Sequence, residues 1–477
     1  MRYPAPRFSA VRASVLVVAS LLAAPARGAE LTPQQQRGRD LLRELIETDT
    51  THEHGSTTKA AEKMARRLLD GGFPAADVQV IGPPGSPNAN LVARLRGRGR
   101  GKPILLLAHL DVVEARREDW SLDPFTLTEK DGYFYGRGVY DIKDGAAILV
   151  ASLLQLKQEG FVPDQDYVLA LTAGEESGGD YNGVEWLLKE HRDLLDVAYC
   201  INMDAGDPQK RNGKRLARGV QASEKVYMTL RLEATGPGGH SSLPTKDNVI
   251  YRLAAALVRV QGLAFEPRTS EVTRAFLAGM GGIEPPSLAG DLRAAARVPP
   301  DRAAMDRLSA ASTFYNAQLR TTCVATLLGG GHAENALPQR AHADVNCRML
   351  PDEKPAVVEA AVRRAVADDG IAVTVLMPAS PGPESPLAPD VMGAITRTTE
   401  RLWPGVVILP EMETGATDGK LTRGAGIPTY GVSGVFMDID DIRSHGRDER
   451  IEVADYYEGL VYILELLREA GRPAGGR

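Results

Sequence analysis

Short apolar runs alternate with segments of helical periodicity through the first half of the chain. Three runs have the length and the near-continuous apolar character of strands buried on both faces. They lie at Ile104–Ala108, Tyr167–Thr172 and Ala198–Met203. Helical patterns precede and separate them at Gln34–Glu47, Thr58–Leu69, Ala146–Gln158 and Val184–His191. Strands that alternate with helices predict an α/β sheet with mostly parallel strands.

A different pattern begins near Glu224. Val226–Ala234 alternates apolar and polar residues, which predicts a strand with one face in solvent. Further strands are predicted at Val324–Leu328, Ala341–Met349 and Ile371–Leu376, and helices at Ile250–Val260 and Lys354–Asp368. Glu266–Gln318 is helical but irregular, with a Gly/Pro loop from Gly279 to Gly290. Together these segments predict an α+β insertion of about 150 residues, an ordinary domain size.

The chain leaves this insertion through a Pro/Ser-rich linker, Pro378–Pro389, and then offers a helix, a strand at Val406–Leu409 and a final helix. These last elements would complete the first domain. The predicted fold is therefore α/β, a mostly parallel sheet catalytic domain with an inserted α+β lid domain. The predicted organisation is a signal peptide at 1–28, a catalytic domain at 29–222 and 379–477, and the lid at 223–378.

The N-terminus has the features of an export signal. Arg2, Arg7 and Arg12 precede an apolar run from Ala13 to Ala24, and small residues follow it. This order is typical of a Sec signal peptide, and the run is short for a transmembrane span. We expect a secreted or periplasmic protein without a stable membrane span after processing. An uncleaved membrane anchor is the alternative.

Composition narrows the function classes. The net charge of −6 and the absence of a basic surplus argue against a nucleic-acid partner. The three cysteines, Cys200, Cys323 and Cys347, form no CxxC pair, so a cysteine-rich zinc site is not expected. Cys323 and Cys347 are equidistant from Asn335 and could face each other across a hairpin. Whether they are bridged stays open.

Acidic and histidine side chains follow each of the three buried strands. His109 and Asp111 come after the first strand, Glu175 and Glu176 after the second, and Asp204 after the third. In an open α/β sheet, ligands bind beyond the carboxyl ends of the strands. Three separate segments should therefore bring these groups to one edge of the sheet.

Two further residues complete the candidate cluster. Asp141 opens the helix after the first strand, and His445 lies in a late Ser-His-Gly loop. So many carboxylates in one place repel one another and need a cation or protons. Histidines mixed with carboxylates suit Zn²⁺ or a similar divalent ion, and two ions that share one carboxylate would balance the charge.

These motifs resemble the zinc exopeptidase family of aminoacylase, acetylornithine deacetylase, succinyl-diaminopimelate desuccinylase and glutamate carboxypeptidase. The resemblance covers nearly all of the mature chain, in order, including the insertion. It implies two zinc ions, which Co²⁺ or Mn²⁺ could replace, held by His109, Asp141, Glu176, Asp204 and His445. His109 and Asp204 would complete one site and Glu176 and His445 the other, with Asp141 as the bridge.

The resemblance also assigns roles around the ions. Glu175 would be the general base, and Asp111 would hydrogen-bond His109 to fix its tautomer. The peptide bond from Asp141 to Ile142 is expected to be cis. Asp144 stands where many relatives have glycine, but it is not a predicted ligand.

The insertion carries the remaining family-like motifs. His240, in a Gly-rich turn, would support the oxyanion, commonly at the metal site of a neighbouring subunit, which implies a homodimer through the lid. Asn335 begins an Asn-Ala-Leu-Pro motif of the substrate site. Arg348 would bind the substrate carboxylate, although Asn346 stands where the family has aspartate. A late loop, Gly415 to Asp418, resembles a glycine-rich substrate loop.

The leading prediction is metal-dependent hydrolysis of a peptide or N-acyl amino acid amide next to a free carboxylate, as in a carboxypeptidase or dipeptidase. An N-acyl amino acid deacylase is the alternative, and a carbamoyl or succinyl amide is a third substrate class. A non-catalytic binding protein on this fold would have lost ligands or the base, and all are present. A serine hydrolase is disfavoured because the chain has no GxSxG motif.

Overall fold

The computed structural model describes residues 30–176 and 181–472, so the predicted signal peptide lies outside the described residues. The helices are α1 (Pro33–Ile46), α2 (Thr57–Asp70), α3 (Lys143–Gln158), α4 (Gly183–Glu190), α5 (Val249–Gln261), α6 (Glu271–Met280), α7 (Pro286–Ala295), α8 (Arg302–Ala311), α9 (Thr313–Leu319), α10 (Pro355–Val366), α11 (Pro389–Leu402), α12 (Gly419–Gly424) and α13 (Val453–Ala470). Among these described helices, none combines the length and apolarity that a bilayer span requires.

The strands are β1 (Val78–Ile81), β2 (Asn90–Leu95), β3 (Ile104–His109), β4 (Thr128–Lys130), β5 (Tyr133–Tyr135), β6 (Tyr167–Thr172), β7 (Tyr199–Asn202), β8 (Pro208–Arg211), β9 (Lys214–Glu224), β10 (Val226–Thr235), β11 (Gly239–His240), β12 (Thr322–Gly330), β13 (Ala336–Leu337), β14 (Arg340–Met349), β15 (Ile371–Met377), β16 (Val407–Glu413), β17 (Thr429–Gly431), β18 (Met437–Asp438) and β19 (Arg450–Glu452).

The large sheet has the strand order β1-β2-β6-β3-β7-β17-β9-β8-β18, with β16 paired to β9. Its central strands, β6, β3, β7 and β17, run parallel. Helices α1, α3 and α13 pack on one face, and α4 packs on the other. Every residue of β3 and β6 is consequently buried, which explains their continuous apolar sequence. The predicted α/β fold is confirmed.

The second sheet, β12-β14-β10-β15, is antiparallel throughout. Helices α5 and α10 cover one face of this sheet. Burial alternates along β10, as the sequence predicted for a strand with one wet face. The register pairs Cys323 with Cys347 across β12 and β14, and the two form a disulfide. The bond that the sequence left open is therefore present.

The helical stretch α6–α9 is not packed where the sequence prediction put it. We expected it to belong to the inserted domain. Instead, Phe276 and Leu277 of α6 form an apolar cluster with Ala217 of β9 and Leu409 of β16 in the large sheet. The apolar face of α6 covers an edge of that sheet. Hydrophobic periodicity predicts that a helix has an apolar face, but it does not predict which sheet that face packs on.

The predicted start of one helix and the predicted end of one strand were wrong, in both cases because a proline lies inside the element. Helix α7 begins at Pro286, inside the predicted Gly/Pro loop, because proline is well accommodated in the first turn of a helix. Strand β16 continues through Pro410 to Glu413 rather than ending at Leu409. Since β16 pairs with β9 alone among the described strands, it is an edge strand, where proline is tolerated.

Candidate metal centre

Three parallel strands place the predicted ligands at one edge of the large sheet. His109 is the last residue of β3 and lies in register with Thr172, the last residue of β6. Glu175 and Glu176 follow β6, and Asp204 follows β7 on the other side of β3. The sheet topology therefore brings together groups that are far apart in sequence, as expected at the carboxyl ends of parallel strands.

His109 lies at the centre of the cluster. Its Nε2 is 3.4 Å from Asp141 Oδ1 and 3.8 Å from Asp204 Oδ1, yet this buried nitrogen has no hydrogen-bond partner in the described part of the chain. Its Nδ1 lies 2.9 Å from the carbonyl oxygen of Asp111. If Nδ1 carries the proton and donates it to this carbonyl, Nε2 is left with a free lone pair, as a metal ligand requires.

Asp111 forms the expected hydrogen bond with His109, and it does so through its backbone carbonyl. The carboxylate instead accepts the backbone N–H groups of Gly174, Glu175 and Glu176, at 2.7, 3.3 and 2.9 Å. Asp111 thus orients the segment that carries the candidate base, because three donors converge on its two oxygens.

Asp141 lies between the two histidines. Its Oδ1 faces His109, and its Oδ2 is 3.2 Å from Nε2 of His445, which also lies 2.8 Å from Glu176 Oε1. Potential ligand atoms converge within 4.8 Å in two groups: His109, Asp141 and Glu176 in one, and His109, Glu175 and Asp204 in the other. The peptide bond from Asp141 to Ile142 is cis, as the resemblance predicted.

The electrostatics of the cluster fit a cation site. Burial raises the pKa of Asp204 to about 7, and burial together with the Asp204 charge raises the pKa of Glu175 well above its usual range. Hydrogen bonds to Asp141 and Glu176 raise the pKa of His445 to about 10. Raised pKa values of this kind show that negative charge is costly here without a cation, so the donor set fits a metal centre.

Sequence reasoning missed Glu449, a fully buried residue that organises the Asp141 loop. Its carboxylate accepts the backbone N–H groups of Tyr140 (2.8 Å) and Asp141 (3.1 Å). It also forms a 2.6 Å ion pair with Arg137. The only available signal was an acid shortly after His445, and no motif marks it.

A cavity of about 530 Å³ opens beside the cluster, a volume typical of small-molecule sites. Asp141 and Asp204 contribute to its wall, as do residues 415–417 of the glycine-rich loop. The buried Asp418 accepts a 2.6 Å hydrogen bond from Asn182 and so fixes the far end of this loop. Helices α6 and α9 supply another part of the wall, through Phe276, Met280, Phe314 and Gln318.

The predicted lid residues fall into two places. His240 and Asn335 lie together, because β11 pairs with β13 and the Ser241 N–H donates to the Asn335 carbonyl at 2.9 Å. Both are exposed, and neither lines the cavity. Arg348 lies half-buried over the ring of Tyr227, and its guanidinium donates to the carbonyl of Thr414 at 3.4 Å. Of His240, Asn335 and Arg348, only Arg348 contacts Thr414, the residue that precedes the loop in the cavity wall.

Comparison with known proteins gives a consistent result. The model of Peptidase family M20/M25/M40 matches residues 105–469. The chain is 28% identical over 384 residues to the human N-fatty-acyl-amino acid synthase/hydrolase PM20D1, covering 77% of this chain and 74% of that protein. It is 25% identical over 394 residues to a probable carboxypeptidase S-like 2 of Dictyostelium discoideum, covering 80% and 74%.

The fold is also that of a solved member of this family. The M20 family metallo-carboxypeptidase Sso-CP2 from Sulfolobus solfataricus superimposes with a TM-score of 0.68 at 16% identity, covering 91% of this chain and 99% of that one. The predicted enzyme class, a metal-dependent hydrolase of amide bonds, is confirmed at the level of the family. The chain belongs to Peptidase family M20/M25/M40.

Proposed function

We propose that the protein is a two-zinc hydrolase that cleaves a peptide bond next to a free carboxylate, in the manner of a carboxypeptidase or dipeptidase. The observation that carries this proposal is the buried Nε2 of His109, which has no hydrogen-bond partner in the described structure and faces Asp141 and Asp204. A buried imidazole nitrogen among carboxylates suits Zn²⁺, and Co²⁺ or Mn²⁺ could replace it.

In this proposal, five residues would hold the ions. His109 and Asp204 would serve one ion and Glu176 and His445 the other, and Asp141, whose two oxygens face different histidines, would be shared between them. When bound, such a pair of ions supplies Lewis-acid polarisation of the amide carbonyl and an acidified water. The protein's own contribution is to hold these ligands and to move a proton.

Glu175 is the proposed general base. Its backbone N–H is held by Asp111, and its carboxylate lies in the group that contains His109 and Asp204. Burial raises its pKa, so it can accept a proton from the attacking water and give it to the leaving amine nitrogen. Arg348 is the proposed partner of the substrate's free carboxylate, and Asn335 is proposed to contact the substrate.

We further propose that segment 223–378, apart from the helices α6–α9 that pack on the large sheet, is a lid that dimerises. Strand β12 is an edge of its sheet and exposes Val324 (60%), Leu327 (63%) and Leu328 (72%), an apolar edge that favours a partner. His240 is exposed and outside the cavity of its own chain, which supports a role at the site of a second copy. Light scattering of the Leu327→Lys variant, expected to be monomeric, tests this.

A second candidate function is N-acyl amino acid deacylation. The relative PM20D1 is named for N-fatty-acyl-amino acid hydrolysis. Phe276, Met280 and Phe314 give the cavity an apolar wall that an acyl chain could contact. A peptide side chain could use the same wall, so a substrate panel has to separate the two functions.

The deciding experiment removes and restores the metal. The protein, secreted and processed through the proposed signal peptide, is demetallated with a chelator and assayed on dipeptides and N-acyl amino acids. We expect activity to disappear and to return with two equivalents of Zn²⁺ or Co²⁺ per chain. Full activity in exhaustively demetallated protein would refute the proposed function.

A further inference from the structure

The cavity beside the metal ligands has an acidic region that the proposed chemistry does not use. Asp207, Glu411 and Glu413 all contribute to its wall. Burial raises the pKa of each, and the charges of its carboxylate neighbours raise it further. Three carboxylates in the wall of one cavity are costly unless a positive charge lies among them or they take up protons.

The three carboxylates differ in how they are satisfied. Asp207 accepts a 2.7 Å hydrogen bond from the hydroxyl of Tyr140, and Glu413 accepts one of 3.1 Å from the N–H of Thr414. Glu411 is only 8% exposed. Among residues 30–176 and 181–472, its carboxylate forms neither a hydrogen bond nor an ion pair. A largely buried side chain that lines a cavity and has no partner in the described protein indicates a ligand that would donate to it.

The nearest cation of the protein does not neutralise the region. Arg218 lowers the pKa of Glu411 and of Asp207, but it forms no ion pair with either of these described residues. Its Nε donates instead to the hydroxyl of Tyr462 and its Nη1 to the carbonyls of Gly206 and Gly219, while its buried Nη2 has no hydrogen-bond partner among the described residues. One guanidinium therefore lies near the carboxylates of Glu411 and Asp207 and pairs with neither.

The spacing of the acids favours an organic cation over a metal ion. Across the described residues, the ligand atoms that converge within 4.8 Å form two groups, and both contain His109. Asp207, Glu411 and Glu413 belong to neither group. Carboxylates too widely spaced to coordinate one ion can still surround an ammonium or guanidinium group, whose several N–H donors point in different directions.

We propose that this region, with Glu411 as its principal acceptor, binds a cationic group on the acyl side of the scissile bond. The inference rests on the proposed function, because it takes the scissile carbonyl to lie at Asp141 and Asp204, in the wall of the same cavity. The cation is the α-ammonium group of a peptide or the side chain of a basic residue. The apolar wall formed by Phe276, Met280 and Phe314 suits the aliphatic stem of such a residue.

This assignment separates the two candidate functions. A peptide with a free amino terminus, or with lysine or arginine before the scissile bond, supplies the cation. An N-fatty-acyl amino acid does not, and its chain would leave Glu411 buried without a donor. The substrate class that the cavity favours is therefore a short cationic peptide.

Two matched substrate pairs test the proposal on the zinc-loaded full-length protein. The first pair is glycyl-leucine and its N-acetylated form, and the second is N-acetyl-lysyl-leucine and N-acetyl-norleucyl-leucine. We expect kcat/KM to favour the cationic member of at least one pair by about 10- to 100-fold, the range of a charge-assisted hydrogen bond. The first pair reports an α-ammonium site and the second a side-chain site.

The Glu411→Gln variant should reduce that ratio to near one, chiefly by raising KM for the cationic substrate. Glu400→Gln, an exposed glutamate on α11, is the matched control and should keep the wild-type ratio. Calorimetric binding of lysine and norleucine to the zinc-loaded protein gives a second measurement, independent of turnover. For a side-chain site, lysine should bind the wild type more tightly than norleucine and Glu411→Gln should abolish the difference; for an α-ammonium site, both should bind and Glu411→Gln should weaken both.

Equal or better cleavage of the neutral member of both pairs by the wild type would overturn the inference. So would a Glu411→Gln variant that keeps the wild-type ratio. Both outcomes leave the proposed function intact, provided that cleavage still requires metal. If none of the four substrates, nor any N-acyl amino acid, is hydrolysed by the metal-loaded protein, the proposed function itself fails.

Discussion

The buried ion pair between Arg137 and Glu449, 2.6 Å long, joins the loop of Asp141 to the loop of His445. Arg137 also donates to the carbonyl of Gly446, and Glu449 accepts the N–H of Asp141. Asp141 and His445 lie more than half the chain apart in sequence. Arg137 lies four residues before Asp141, and Glu449 lies four residues after His445. The relative position of Asp141 and His445 therefore depends on this ion pair.

We expect Glu449→Gln to destabilise the protein by about 3–5 kcal/mol, because Arg137 would be left as an unpaired buried charge. Urea unfolding of the metal-loaded protein measures the loss. Glu458→Gln is the control, since it breaks a half-exposed ion pair with Arg215 and should cost less than about 1 kcal/mol. Equal losses of unfolding free energy in the two variants would show that the buried ion pair stabilises the protein no more than the half-exposed one.

The sequence predicted which side chains would meet at one sheet edge, because most of them follow a strand whose burial is visible as an apolar run. His109, Asp204 and the Glu175–Glu176 pair could be placed at one sheet edge by topology alone. Glu449 could not be found, because its role comes from hydrogen bonds to backbone groups of a loop distant in sequence. For the same reason, Asp111 and its contact with His109 were predicted, but the backbone N–H groups that its carboxylate accepts were not.

Hydrophobic periodicity also does not identify the surface on which a helix packs. The pattern at Phe276 and Leu277 shows that α6 has an apolar face, but it does not show which sheet receives that face. The structure packs it on β9 and β16, which turns a presumed part of the lid into a wall of the cavity. Nor does a strand pattern identify a largely buried acid without a hydrogen bond, such as Glu411.

Asp111→Asn should weaken metal binding by about 10- to 100-fold, the usual effect of changing a group that orients metal ligands. An amide has one acceptor oxygen, whereas the carboxylate accepts three N–H groups and so holds Glu175 and Glu176 in place. Calorimetric titration of the demetallated protein with Zn²⁺ measures the change. Asp119→Asn, at an exposed position, should bind like the wild type. Unchanged affinity in Asp111→Asn would contradict this role.

Glu175→Gln should separate metal binding from catalysis. The amide cannot accept a proton, so we expect kcat to fall by about 10²- to 10⁴-fold. Metal content, measured by elemental analysis, should stay near two ions per chain, because Glu175 is not among the proposed ligands. Near-normal turnover would refute its assignment as the base, and loss of one ion would make it a ligand instead.

The disulfide between Cys323 and Cys347 joins β12 to β14 over a separation of 24 residues. Removing it with the double variant Cys323→Ala, Cys347→Ala should lower the free energy of unfolding by about 2–4 kcal/mol. Reductant should destabilise the wild type similarly and should not affect the variant. In unfolded wild type without reductant, thiol titration should find Cys200 alone, and three reactive thiols would exclude the bond.

Recognition of the substrate's free carboxylate is expected to depend on Arg348. The side chain is half-buried, with its guanidinium 4.6 Å from the ring centroid of Tyr227 and hydrogen-bonded to Thr414, next to the loop that lines the cavity. A guanidinium held over an aromatic face keeps its N–H donors in a fixed plane, so it can bind a carboxylate through two parallel hydrogen bonds. Lysine offers the charge but not this geometry.

Arg348→Lys should therefore reduce kcat/KM for free-carboxylate substrates by about 10-fold or more, the value of one charge-assisted hydrogen bond. Substrates with an amidated C-terminus should be poor for the wild type and should change little in the variant. Arg340→Lys, on the same strand but largely exposed, is the control and should leave both substrate classes unaffected. If the wild type hydrolyses free-acid and amidated substrates equally well, Arg348 does not recognise the carboxylate, and its contacts with Tyr227 and Thr414 are structural.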